Sequence, residues 1–165
     1  MVTHAQHRTK APVPCGVITA SDTRTADDDI SGDLAAHLLE KADHRILDRT
    51  IVADDPAAIR AAVSDMDARG VRATIITGGT GIAPRDRTYE AVAEIIEREL
   101  PGFGELFRSL SYAEIGSAAM LSRAVAGIRG RMLIASLPGS PDAVRLGLER
   151  LLVPELGHIV GLLGD

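Results

Sequence analysis

The run Ala73-Thr74-Ile75-Ile76-Thr77, followed at once by Gly78-Gly79-Thr80-Gly81, constrains this chain more than any other feature. The run is continuous and β-branched rather than alternating, so it predicts a central strand buried on both faces, the kind found in parallel sheets covered by helices on either side. The glycines that follow let the backbone turn sharply and bring its N–H groups close to an anion, with a helix N-terminus adding a favourable field. Phosphate is the anion this arrangement suits.

Short β-rich runs alternating with amphipathic segments extend the same pattern in both directions. Cys15-Gly16-Val17-Ile18-Thr19-Ala20 predicts a first strand, and Leu34, Leu38, Leu39 and Ala42 predict a helix after it, with Ser31 as its N-cap. A second strand is expected over 46–53. Asp55-Pro56 then opens a helix carrying Ile59, Ala62, Val63 and Met66, which Gly70 ends. After Thr88, Val92, Ile95 and Ile96 mark a helix that should stop at Pro101-Gly102, and Phe103 to Arg123 reads as irregular helix. Met132 to Leu137 predicts another buried strand, closed by Pro138-Gly139-Ser140-Pro141 and a helix with Val144, Leu148, Leu151 and Leu152. The expected fold class is therefore α/β, a three-layer sandwich with a mainly parallel central sheet. Polar residues 1–14 read as a flexible lead-in and 15–165 as one domain.

Open α/β sheets bind ligands outside the carboxyl ends of their strands, so the loops there are the candidate site. The glycine loop is neither a Walker A sequence nor Gly-x-Gly-x-x-Gly, and a tight turn without a ligand is its plain structural alternative. Asp86 can hold a divalent cation that bridges phosphates, Mg²⁺ by its hard oxygen chemistry, or can cap the next helix, the commoner role for such a residue. Arg85 and Arg87 can neutralise phosphate, although solvation is the usual fate of loop arginines. Asp54 and Asp55 end the second strand, where one caps and the other faces the pocket. The loop from Ser21 to Gly32 is dense in hydroxyls and carboxylates.

A formal net charge of −5, from 18 Lys+Arg against 23 Asp+Glu, argues against a nucleic-acid-binding surface. No apolar run approaches the ~18 residues that cross a bilayer. The N-terminal sequence lacks the apolar core of a signal peptide, and the single cysteine, Cys15, can form no internal bridge, so a cytoplasmic location is expected. Cys15 reads as a small core residue, and the five histidines show no metal-ligand spacing.

These residues resemble the MoaB/MogA family of molybdenum cofactor biosynthesis proteins from about Cys15 to about Leu152. The resemblance rests on Gly16-Val17-Ile18-Thr19-Ala20-Ser21-Asp22, Asp29-Ile30-Ser31-Gly32, Thr77-Gly78-Gly79-Thr80-Gly81 with Arg85-Asp86, Phe103-Gly104-Glu105, Ser122-Arg123-Ala124-Val125-Ala126-Gly127 and Leu137-Pro138-Gly139-Ser140. It implies a MogA-like, Rossmann-like sandwich that assembles as homotrimers or homohexamers and binds molybdopterin at the strand ends. In the family's catalytic members Mg²⁺-ATP adenylylates the terminal phosphate of molybdopterin and pyrophosphate leaves, ahead of molybdate insertion by an enzyme that would be a partner here. Carried onto this chain, Gly78, Gly79, Thr80 and Gly81 would cradle phosphate with Arg85 beside them. Asp54 and Asp86 would match carboxylates needed for activity, Asp86 as the Mg²⁺ ligand, and Ser21, Asp22, Ser31, Pro138, Gly139 and Ser140 would line the nucleotide and pterin pocket.

Pro138-Gly139-Ser140-Pro141 stands where family adenylyltransferases often have Pro-Gly-Asn-Pro, and Thr88-Tyr89-Glu90-Ala91 where they have Thr-Pro-Glu-Ala. The alternative implied is a non-catalytic molybdopterin-binding or scaffold protein of the MoaB type. A flavodoxin-like or Rossmann-type cofactor protein lacks its expected fingerprint in this sequence.

Overall fold

The computed structural model describes residues 11–164, and most of the expected lead-in lies outside the described residues. Within that stretch Val13 is buried in the core and Pro14 opens the first strand.

Four parallel strands form the body of a six-stranded sheet: β1 (Pro14–Ala20), β2 (Arg45–Val52), β3 (Ala73–Thr77) and β6 (Met132–Leu137). Two further strands, β4 (Arg98–Glu99) and β5 (Val125–Arg129), extend it antiparallel, giving the order β2-β1-β3-β6-β5-β4. Helices cover both faces, as a sheet of this kind requires. On one side α1 (Ile30–Lys41), α4 (Pro101–Ile115), α5 (Pro141–Gly147) and α6 (Val153–Leu163) pack over Val17, Ile75, Leu133, Ala135 and Leu137. On the other, α2 (Pro56–Ala68) and α3 (Thr88–Ile95) pack over Ile18, Ile76, Met132 and Ile134.

The two-residue period of a strand explains why these runs are apolar throughout: Leu133, Ala135 and Leu137 enter one core while Met132 and Ile134 enter the other. Full burial of each Leu or Ile contributes about 1.5–3 kcal/mol, so both layers are needed to hold the sheet in register. Among the described residues, no helix is long and apolar enough to cross a membrane.

Several local expectations are corrected. The N-cap of α1 is Asp29, whose side chain accepts the Gly32 N–H, while Ser31 lies inside the helix and turns its hydroxyl elsewhere. Pro101 opens α4 instead of ending the preceding helix, because its missing N–H costs nothing in a first turn. The irregular helix expected up to Arg123 resolves into α4 and a 3₁₀ segment over Gly116–Leu121. The hairpin strand β5 and the short edge strand β4 lie where no strand was expected from local pattern. Between α5 and α6 the helix widens into a π-turn over Leu148–Leu152, just ahead of Pro154, which cannot donate to the regular ladder.

Candidate phosphate-binding site at the strand ends

Because β2, β1, β3 and β6 are adjacent and parallel, their carboxyl ends bring four loops to one edge. The loop after β3 is held in a left-handed backbone that only glycine adopts without strain, with φ of 96° at Gly78 and 65° at Gly79. Gly78 donates its N–H to Leu137 O at 3.0 Å, tying this loop to the end of β6. The turn after β6 closes on it: a Cβ on Gly139 would sit 3.3 Å from the Gly78 Cα. Ser31 donates its hydroxyl to Gly139 O at 2.7 Å, so the start of α1 props the same turn from below. Ser140 then caps α5 by accepting the Ala143 N–H.

Carboxylates gather around the glycines. Asp54, just beyond β2, has its Oδ1 buried with no hydrogen-bond partner. A Cβ on Gly79 would lie 2.8 Å from that oxygen and would overlap Thr88 Oγ1, a second buried atom without a partner. Asp22 anchors the Asp54 backbone by accepting its N–H at 3.0 Å. Asp86 turns back into its own loop, accepting the Ala83 N–H at 3.0 Å. The first helical turn of α3 therefore has no side-chain cap, and the expected capping role of Asp86 is not realised.

Burial pushes the Asp54 carboxyl above its ordinary value. The negative charges of Asp86 and Asp22 push it the same way, against the Arg87 backbone N–H and the positive charge of Arg85. Excess negative potential at an unpartnered buried oxygen is the environment a cation or proton would relieve. The donor set fits Mg²⁺, which takes one or two carboxylates and completes its octahedron with water and phosphate oxygens. No cluster of three or more acidic, His or Cys side chains able to hold a metal without such help occurs among the described residues.

The structure thus brings Ser21, Asp22, Ser31, Asp54, Gly78 to Gly81, Asp86 and Pro138 to Ser140 to one edge of the sheet. Their parts differ: Ser21 shapes its loop by accepting the Thr23 and Arg24 N–H groups, Ser31 is buried beneath the turn, and Arg85 is exposed. Three residues gain importance beyond the sequence reading. Asp29 is fully buried and joins Thr19, Gly32 and Arg49. Thr88 faces Gly79, and Arg123 reaches the glycine loop from a distant part of the chain. Asp29 and Thr88 each precede or open a helix, which is a local signal; Arg123 gives none.

The model described as "Probable molybdopterin binding domain" matches residues 16–158. The "Molybdenum cofactor biosynthesis protein B" of Halalkalibacterium halodurans is 48% identical over 159 residues, covering 94% of each chain. The chain belongs to the MoaB/MogA family of molybdenum cofactor biosynthesis proteins. A crystal structure of molybdenum cofactor biosynthesis protein B superposes with a TM-score of 0.91 at 47% identity, covering 94% of this chain and 98% of that one. The tungsten cofactor synthesizing protein MoaB from Pyrococcus furiosus superposes with a TM-score of 0.86 at 36% identity, covering 95% and 100%. Every strand-end loop described above lies inside the matched family segment.

Proposed function

We propose that this MoaB/MogA-family protein binds molybdopterin and adenylylates it with Mg²⁺-ATP. An oxygen of the terminal phosphate of molybdopterin attacks the α-phosphorus of ATP; the new P–O bond forms as the α–β anhydride bond breaks, and pyrophosphate leaves. The observation that carries this reading is the unpartnered, buried Asp54 Oδ1 beside the left-handed Gly78-Gly79 turn. The Gly78 N–H is taken by Leu137 O, so the amides of the loop from Gly79 to Ile82 are those that would meet a phosphate, and the carboxylates beside them favour a cation such as a phosphate-bound metal.

Asp54 and Asp86 are the residues that would hold Mg²⁺, which supplies charge neutralisation on phosphate oxygens when bound. No side-chain nucleophile is required, because the substrate phosphate is itself the nucleophile and positioning with electrostatic stabilisation accounts for most phosphoryl-type catalysis. Thr88 Oγ1 and Asp54 Oδ1 flank the space beside Gly79 that a side chain there would fill. Asp22 anchors the Asp54 backbone by accepting its N–H. Arg85, exposed on the loop, completes the positive side of the site.

On the same reading the protein works in the cytoplasm as a homotrimer or homohexamer and passes its product to a molybdate-insertion enzyme. Exposed Leu106, Tyr112, Ile115 and Met120 on α4 and the following 3₁₀ segment offer an apolar surface for self-association, which light scattering on the purified protein would measure.

Freshly prepared molybdopterin incubated with the protein, ATP and Mg²⁺ should yield adenylylated molybdopterin and pyrophosphate in equal amounts. Asp54→Asn and Asp86→Asn should each slow this at least a hundredfold. Tight retention of molybdopterin with no adenylylated product would favour the scaffold role instead.

A further inference from the structure

Arg123 stands outside the strand-end loops, yet its contacts converge on one of them. Its backbone N–H donates to Thr80 O at 2.8 Å, its Nε to Gly81 O at 2.9 Å and its Nη2 to Asp86 O at 2.7 Å. The guanidinium is in turn fixed by Glu90 through Nη1 at 2.5 Å, and it lies over the Tyr89 ring with its carbon 5.2 Å from the centroid. Glu90 and Tyr89 belong to α3, so the clamp spans the whole loop from its glycines to the helix that follows.

A trans peptide is planar and points its C=O and the next N–H in opposite directions. Pinning the carbonyls of Thr80, Gly81 and Asp86 toward Arg123 therefore turns the N–H groups of Gly81, Ile82 and Arg87 away from it. A glycine loop with no such clamp would sample many shapes, since glycine carries the largest backbone entropy of any residue.

We propose that Arg123 is the positioning residue of the site, its guanidinium fork drawing loop carbonyls to one side so that the loop's amides are left to face the phosphate. The planar fork bridges two carbonyls in fixed geometry, which a lysine ammonium does not reproduce. Glu90 and Tyr89 set the plane of the fork, so substrate need not organise the loop on arrival and binding avoids that ordering cost. This inference rests on the phosphate-binding reading of the loop, but its structural half is measurable without turnover.

Amide hydrogen exchange on the unliganded protein reads the clamp directly. The N–H groups of Ala83, Asp86 and Thr88 are bonded within the loop, and those of Ile75 and Ile76 lie in β3 as internal references. Arg123→Lys and Arg123→Ala should speed exchange at Ala83, Asp86 and Thr88 at least tenfold, leave the β3 amides unchanged, and weaken Mg²⁺-ATP binding by calorimetry at least tenfold. Glu90→Gln, which keeps an acceptor for the fork, should give a smaller change of the same kind. Unchanged loop exchange in both arginine variants, or faster exchange spread equally into β3, would overturn the proposal. If the wild-type protein binds no Mg²⁺-ATP while Arg123→Lys still loosens the loop, the clamp stands and the adenylylation reading falls.

Discussion

Gly79→Ala is the substitution whose cost the structure defines best. With φ at 65°, an alanine there enters the left-handed region, which costs about 1–2 kcal/mol for a residue with a Cβ. The added methyl also overlaps Thr88 Oγ1 and lies 2.8 Å from Asp54 Oδ1, an overpacked contact that costs about 1–3 kcal/mol when neighbours must shift. Together these predict a loss of about 2–5 kcal/mol. Gly70→Ala isolates the backbone part: Gly70 has φ of 82° with nothing within 4 Å of its would-be Cβ, so only about 1–2 kcal/mol should be lost. Taking a urea dependence of about 2 kcal/mol per molar, the midpoint should fall by about 1–2.5 M for Gly79→Ala and by about 0.5–1 M for Gly70→Ala. Mg²⁺-ATP binding should be lost only in Gly79→Ala, because Asp54 and Thr88 must move to admit the methyl. Equal midpoints for the two variants, or Gly79→Ala binding nucleotide as tightly as the wild type, would refute the claim that this glycine is required by its neighbours.

Asp54→Asn should stabilise the unliganded protein near pH 7: the native carboxyl is raised by burial and by Asp86 and Asp22, a penalty present above its native pKa that fades as pH falls toward the ordinary carboxylate value. Denaturant melts across pH 4–8 would show the gain shrinking on the acid side. Asp29→Ala should cost about 2–4 kcal/mol, from a lost helix cap and charge-assisted hydrogen bonds to Thr19 and Arg49. Burial raises the Asp29 carboxyl, but Thr19, Arg49 and the Gly32 N–H outweigh it and hold the native value below the usual range; its stabilisation is therefore full above the ordinary carboxylate pKa and is lost as pH falls through the native one, so the two melts should converge in acid. Cys15 is fully buried and its thiol is pushed up to about 12, so iodoacetamide at pH 8 should leave the folded protein unmodified by mass spectrometry and label it once unfolded in urea.

How far the sequence revealed this molecule depends on whether a feature is local. The strands β1, β3 and β6 are legible because burial on both faces forces continuous apolar, β-branched runs, and α2 is legible because Asp55-Pro56 is a complete start signal. The hairpin strand β5 escapes because Gly127 interrupts the short run Val125-Ala126-Gly127-Ile128 and weakens its strand pattern; the cause is distant, since a Cβ there would lie 2.8 Å from Arg98 O on β4. Ser31 looks like a cap, but Asp29 two residues earlier accepts the first-turn amide, leaving the serine hydroxyl to reach Gly139 across 108 positions of chain.

The site shows the same division. The glycine loop and the acidic strand ends are visible as composition, yet their convergence comes only from the order β2-β1-β3-β6, which no spacing in the sequence encodes. Asp86 illustrates the reverse error: a carboxylate just before a helix suggests a cap, whereas the loop's curvature turns it onto Ala83. Arg123 is invisible locally because all of its partners at the glycine loop and α3 lie at least 33 positions away.

A crystal structure with a non-hydrolysable ATP analogue and Mg²⁺ bound tests the central claim most directly. Phosphate oxygens should lie within hydrogen-bond distance of amides between Gly79 and Ile82, with Mg²⁺ coordinated by Asp54 or Asp86. Phosphates bound at another edge of the sheet, with Asp54 Oδ1 still facing nothing, would contradict it.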